Sequence, residues 1–239
     1  MFATEFVRRA NEADVQYFYF EVFDEAWKAS PEGTVGAHWG LYDSGGSLKA
    51  ILSGLLSAGI ERPERVLQPV EVEAPVTVWA EPGDAAFKPS GWMGTISAIS
   101  MDESTERPHS GDTCLKIGFQ PAGDVWAGIY WQYPLNNWGD YSGYRLLGAS
   151  KLVFWARGER GGEKAEFKVG GISDRSKRYR DSFGPLTSGV LTLSAQWERH
   201  EIPLAGRDLS SVLGGFCWVT NFPQNPDGAT IFVDDIVIE

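Results

Sequence analysis

After residue 75 the sequence breaks into short runs of β-branched and aromatic residues divided by clusters of Gly, Pro, Asn and Asp. The runs are TVWA, GTISAIS, TCLKIGF, WAGIYWQYP, SKLVFWARG, AEFKVGGI, VLTLS, WERHEIPL, GFCWVTNF and TIFVDDIVIE. Segments of this length and composition suit a pleated, half-buried surface. About ten strands with turns between them predict a mainly β fold, a β-sandwich or jelly roll. Only RDLSSVLGG reads as a short helical turn, and no internal repeat is evident.

Of ten Trp, eight fall in this part of the 239-residue chain. Such density points to a large β core or to flat platforms on which a ligand stacks. Net charge is −11, with 6 basic against 12 acidic residues in 1–74 and 15 against 20 in 75–239. An acidic chain with no basic stripe argues against nucleic acid and anionic membrane and suits a neutral or cationic ligand. No stretch of roughly 18 apolar residues exists to span a membrane, and MFATEFVRRANEADV lacks the apolar run of a signal peptide. Cys114 and Cys217 sit in apolar strand-like runs, as two buried thiols or as a disulfide if those strands are neighbours.

The N-terminal part follows a different pattern. Helical spacing covers residues 2–14, and Val15 to Phe23 is an almost uninterrupted apolar strand. A carboxylate cluster (Glu21, Asp24, Glu25), a loop with Trp-Gly-Leu-Tyr and a helix over Ser47 to Ala58 follow. Strand, functional loop and helix in that order make one βα unit of a (β/α)8 barrel. Residues 61–75, rich in Pro and charge, read as a linker between this segment (1–60) and the β domain (76–239).

Alternation assigns faces to three of the strands. Val125, Ala127, Ile129 and Trp131 form one face and Trp126, Gly128, Tyr130 and Gln132 the other; Leu152, Phe154 and Ala156 oppose Val153, Trp155 and Arg157; Ala165, Phe167 and Val169 oppose Glu166, Lys168 and Gly170. Aromatic rings beside planar polar groups on faces turned from the core are what a sugar requires, because a pyranose stacks on a ring and its hydroxyls need donors and acceptors. The expected ligand-binding residues are Trp126, Tyr130, Gln132, Trp155, Arg157 and Lys168, with Trp92 (SGWMG) and Trp138 (NNWGDYSGY) on loops at the edges. The alternative is a solvated sheet face with ion pairs. The basic run DRSKRYR (174–180) reads as a solvated loop, with ligand contact by Tyr179 or Arg180 as the second reading. Glu81, Asp84, Asp112 and Asp235 are the expected oxygen ligands of a structural calcium; an Asp-Asp pair at a sheet edge is the plainer alternative.

Two resemblances cover different parts. FYFEVFDEAWK and GAHWGLYDSGGSLK resemble the final strand, loop and helix of glycoside hydrolase family 17, the β-1,3-glucanase-like barrels. The resemblance implies that Glu21, Phe23, Lys28 and Trp39 match positions near that family's substrate cleft, while its two catalytic glutamates, on earlier strands, have no counterpart here. GWMG, HSGDTCLKI, NNWG, LVFWARGERGGEKAEFKVGGI, GGFCWV and VDDIVIE resemble the galactose-binding-like jelly-roll domains found as carbohydrate-binding modules. That implies glycan binding on a concave sheet or at loop ends, with a structural calcium in many members.

The expectation is therefore a non-catalytic carbohydrate-binding protein, with β-glucan as ligand because of the attached barrel segment. The alternative is a C-terminal fragment of a β-1,3-glucanase-type hydrolase, extracellular or periplasmic if it belongs to a larger secreted enzyme. A third expectation is homodimerisation through the N-terminal strand, whose backbone groups need partners.

Overall fold

The computed structural model describes residues 69–80 and 85–239 and, before them, the single positions Arg9, Asp24, His38, Gly40, Tyr42, Asp43 and Lys49. The chain divides into two compact units, Met1–Val66 and Leu67–Glu239. In the first, the described residues centre on Asp24. Its Oδ1 accepts from the Lys49 ammonium at 2.6 Å and from the Gly40 amide at 2.9 Å. Its own amide donates to the Tyr42 carbonyl at 2.9 Å. The hydrogen bond from Lys49, foremost, holds its carboxyl below the usual carboxylate range. The predicted helices and strand of this part, together with Glu21, Phe23, Glu25, Lys28 and Trp39 and the dimer expected through that strand, lie outside the described residues.

The second unit is a β-sandwich. Its strands are β1 (Val70–Glu73), β2 (Val76–Trp79), β3 (Lys88–Gly94), β4 (Ile99–Ser104), β5 (Cys114–Phe119), β6 (Trp126–Gln132), β7 (Tyr144–Leu147), β8 (Lys151–Gly158), β9 (Lys164–Val169), β10 (Leu186–Thr192), β11 (Glu198–Pro203), β12 (Gly214–Asn221) and β13 (Ala229–Ile238). One sheet has five strands in the order β10-β9-β12-β6-β3. The other runs β11-β8-β13-β5-β4, with β2 also pairing β13. All pairs within both are antiparallel, and β1 and β7 form a separate parallel pair. This is the mainly β jelly-roll architecture the strand pattern predicts.

Alternation explains how the sheets close on one another. Ala127, Ile129 and Trp131 of β6, Leu152, Phe154 and Ala156 of β8, and Ala165, Phe167 and Val169 of β9 are all fully buried. Rings from the two sheets interlock: Phe154 lies 4.6 Å from Phe167 and 5.4 Å from Phe216, and Trp131 meets Phe216 edge-on at 5.1 Å. Burying each such side chain contributes about 1.5–3 kcal/mol.

Four local expectations are corrected. The end of the predicted linker forms β1, with Val70 to Glu73 paired to Tyr144 to Leu147. SGWMG is part of strand β3 rather than a loop. RDLSSVLGG is not helical: Val212 enters the main core while Leu213 packs with Tyr130 outside it, a period of two, and Val212 bridges to Tyr144. Finally, Cys114 and Cys217 belong to different sheets and are both free, which rules out the disulfide. Burial pushes the Cys114 thiol up to about 11.

Candidate functional site

The outer face of the five-stranded sheet follows from its register. Val190, Glu166, Val219, Gly128 and Met93 form one row across β10, β9, β12, β6 and β3; Thr187, Lys168, Cys217, Tyr130 and Gly91 form the next. At the centre of the first row a Cβ on Gly128 would lie 2.6 Å from Val219 Cγ1 and 3.0 Å from Met93 Cε. Glycine therefore lets those two side chains meet over a low floor. On one side the floor rises to Tyr130 and Cys217, which are buried and packed against Trp138 and Tyr179. On the other stand Asn221 and its register partner Trp126, whose side chain is half-exposed. Tyr130 and Trp126 are four residues apart, about 13 Å along the strand. The result is a trough crossing the strands, with aromatic walls and an apolar floor.

Two buried polar side chains hold the loops that build the higher wall. Asn137, fully buried, accepts from the amides of Gly139, Asp140 and Tyr141 at 3.1 Å each and donates to the Tyr133 and Tyr141 carbonyls at 2.9 Å. This fixes the turn that presents Trp138, whose ring meets Tyr130. Asp181, also buried, accepts from Ile172 N–H at 2.7 Å and from Leu213 N–H at 2.5 Å, with Gly214 N–H at 3.3 Å. It ties the segment carrying Tyr179 to the start of β12. Burial pushes its carboxyl up to about 7, against the opposing pull of the three amides. The loops are latched together, with the Tyr179 amide donating to Gly139 O at 3.1 Å and Lys177 Nζ 2.5 Å from Asp140 Oδ1. Gly139 has φ +110°, and a Cβ there would come within 2.6 Å of the Tyr179 carbonyl, so glycine permits the crossing.

The polar groups on the floor sit toward β9. Lys168 Nζ is 3.2 Å from Glu166 Oε2, and the Thr187 hydroxyl donates to Glu166 Oε1 at 2.5 Å. Both long side chains keep about a quarter of their surface in solvent (24% for Glu166, 28% for Lys168). A ring platform beside donors and acceptors of this kind can stack on an apolar sugar face and hold its hydroxyls.

Of the residues expected from sequence, Trp126, Tyr130, Gln132, Lys168 and Trp138 share this face or its wall. Tyr130 forms the foot of the wall: it is buried and its hydroxyl donates to Gly170 O at 2.9 Å. Gln132 is buried too, its carbonyl accepting from Ser90 Oγ at 3.1 Å and its amide donating to Asn137 O at 3.2 Å. It therefore supports the Asn137 turn and offers nothing to a ligand. Trp92 points inward and packs against the main core. Trp155 and Arg157 are corrected most, because β8 belongs to the other sheet. There His109 stacks on Trp155 at 3.8 Å, and the Arg157 guanidinium lies 3.6 Å from the Phe232 ring centre and donates to Glu106 O at 2.6 Å. These side chains face away from the core, but the 105–113 loop covers them. The sequence pattern puts Gly128 on this face but singles out neither Met93 and Val219 above it nor the supports Asn137 and Asp181; a glycine inside the apolar run WAGIYWQ was the one available sign of close approach.

Among the expected calcium ligands, Glu81 and Asp84 lie outside the described residues. Asp235 sits within a bulge in β13, with φ +45°; His109 Nδ1 lies 2.7 Å from its Oδ2, and its Oδ1 accepts from Ser110 Oγ at 2.8 Å. Asp234 is buried and accepts from the His109 and Ser110 amides, which answers how a carboxylate is tolerated in that strand. Among the described residues no three His, Cys, Asp or Glu side chains converge as a metal site.

No protein-family model matches the sequence, and no curated protein matches it. Among solved structures, the chain is similar to the family 11 carbohydrate-binding module of cellulosomal cellulase Lic26A-Cel5E of Clostridium thermocellum, with 12% identity, 70% of this chain and 95% of that one covered, and a TM-score of 0.48. The family 30 carbohydrate-binding module of cellulosomal cellulase Cel9D-Cel44B of the same organism is 19% identical over 64% of this chain and 95% of its own, with a TM-score of 0.46. The CBM22-1 xylan-binding domain of Paenibacillus barcinonensis Xyn10C is 13% identical over 67% and 97%, with a TM-score of 0.39. At these identities no residue role transfers.

Proposed function

We propose that this chain is a non-catalytic carbohydrate-binding module that takes a polysaccharide, a β-glucan by preference, in the trough on the five-stranded sheet. The observation that carries the reading is Trp126 standing half-exposed across a glycine floor from the Trp138 and Tyr179 wall. The preference for β-glucan rests on the likeness of the N-terminal segment to family 17 hydrolases. Hydrolysis requires two carboxyl groups facing each other about 5–9 Å apart. Glu166 is instead bound to Lys168 and Thr187, and Asp24 to Lys49 and Gly40. Affinity electrophoresis and calorimetry with laminarin, lichenan, cellulose and xylan test the reading. A Kd of roughly 1 μM to 1 mM for one of them is expected; silence on every glycan rejects it.

A structural calcium at Asp235, with Asp112, Glu81 and Asp84, belongs to the same proposal. The ion would displace His109 or Ser110 from Asp235, so calcium should raise the unfolding temperature of the native chain and not that of Asp235→Asn. No shift on adding calcium or chelator would remove the metal from the reading.

A further inference from the structure

The two floor rows of the trough hold few polar groups. Val190, Val219, Gly128 and Met93 complete the row of Glu166; in the next row the Tyr130 hydroxyl donates to Gly170 O and Cys217 is fully buried. What remains is Glu166 with its two partners. Lys168 holds one oxygen, its Nζ 3.2 Å from Oε2, and Thr187 holds the other, donating to Oε1 at 2.5 Å. The orientation of Thr187 is built into β10. The register sets it opposite Lys168, and the bulge that follows, with Gly189 at φ +67°, brings the Gly189 amide onto the Thr187 hydroxyl oxygen at 2.9 Å. With that oxygen accepting from Gly189, its proton is directed to Glu166. A carboxylate has about four lone-pair sites, and Lys168 and Thr187 take one on each oxygen. The Glu166 side chain keeps 24% of its surface in solvent, so each oxygen can accept one further hydrogen bond from a ligand on the floor.

We propose that Glu166 reads two adjacent hydroxyls of one sugar residue, and that the trough therefore selects glucans whose internal residues keep a vicinal diol. One hydroxyl donates to each carboxylate oxygen, a bidentate pair of charge-assisted bonds. Lys168 already balances the charge, so the group receives neutral hydroxyls and gives no advantage to an ion. A β-1,4-linked glucose residue carries free hydroxyls at C2 and C3 and supplies the pair. A β-1,3-linked residue has its C3 oxygen in the chain and keeps hydroxyls at C2, C4 and C6, no two of them adjacent. A site built to hold a hydroxyl rejects the ligand that lacks it; because Glu166 is partly wetted, the discrimination is on the order of tenfold rather than the far larger factor of a sealed pocket. The inference rests on the carbohydrate-binding reading and specifies the linkage that the trough takes.

The test compares lichenan, which contains β-1,4-linked residues, with laminarin, a β-1,3-glucan, by calorimetry on the full chain. Both are polymers, so chain ends, which carry a diol in either linkage, are few. Expected is about tenfold tighter binding of lichenan. Glu166→Ala should bring the two ligands within about threefold by weakening lichenan, and Glu166→Gln, which keeps one acceptor oxygen, should fall between. Each ratio is read on a single variant, so a general loosening of the fold weakens both ligands and leaves the ratio in place. Laminarin bound as tightly as lichenan would overturn the proposal and leave the carbohydrate reading standing, as would a preference for lichenan that survives both variants. Failure to bind either polymer, or any other glycan, would sink both.

Discussion

The indole of Trp138 meets the ring of Tyr130 edge-on, with centroids 5.9 Å apart and planes at 87°. One ring is thereby the footing of the other, and the two walls of the trough differ in kind: Trp138 is packed, Trp126 is half in water.

Replacing each Trp by Ala separates the walls. Trp126→Ala should weaken glycan binding about tenfold, or ~1.4 kcal/mol, and leave stability within about 0.5 kcal/mol, as at an exposed site. Trp138→Ala should weaken binding and also lower stability by roughly 1 kcal/mol through the lost ring contact. Calorimetric titration and thermal unfolding of both variants measure the contrast.

Asn137→Ala removes five hydrogen bonds from one turn. At about 1 kcal/mol each, with partial rescue by water, a loss of roughly 2–4 kcal/mol is expected. Because the turn carries Trp138, binding should fall even at temperatures where the variant stays folded. Denaturant unfolding combined with titration at low temperature distinguishes the two effects.

Gly128→Val is the substitution aimed at the floor. The new side chain would strike Val219, Met93 and the Trp218 carbonyl, the last at 2.8 Å. Overpacking of this kind costs about 1–3 kcal/mol, and the raised floor should abolish glycan binding. Full affinity in a folded Gly128→Val chain would show that the ligand lies elsewhere.

Asp181 predicts a pH dependence of stability. Burial raises its folded-state pKa to about 7, above the unfolded value of about 3.9. The folded state then binds more protons than the unfolded one between these values. Its contribution is complete below about pH 4 and is lost as pH rises through about 7, on the order of 4 kcal/mol. In Asp181→Asn the amide nitrogen faces a backbone N–H, so this variant should be less stable at low pH. The gap to the native chain should narrow by about pH 8. Urea melts of both across that range check the sign.

Which residues face the core was legible in the sequence wherever a strand alternates cleanly, as in Leu152, Phe154 and Ala156 or in Ala165, Phe167 and Val169. Which sheet a strand joins was not, because period two distinguishes in from out and says nothing of partners. β8 follows β6 and precedes β9 in the chain yet pairs with β11 and β13. Trp155 and Arg157 therefore share the outward sense of Trp126 and Lys168 on the opposite side of the sandwich. The supports of the wall were hidden for another reason. Asn137 reads as an ordinary turn residue in NNWGD and Asp181 as one more charge after a basic run; their roles come from amides up to 33 positions away.

The two thiols, one behind each sheet, give the domain a built-in pair of reporters. Cys114 is sealed by the loop over the six-stranded sheet and Cys217 by the wall of the trough. Since no disulfide joins them, reductant should leave the fold intact, and a thiol reagent can react at each only when its own cover lifts. The order in which they are labelled would read out which side of the sandwich breathes first, and a bound glycan should slow one of them alone.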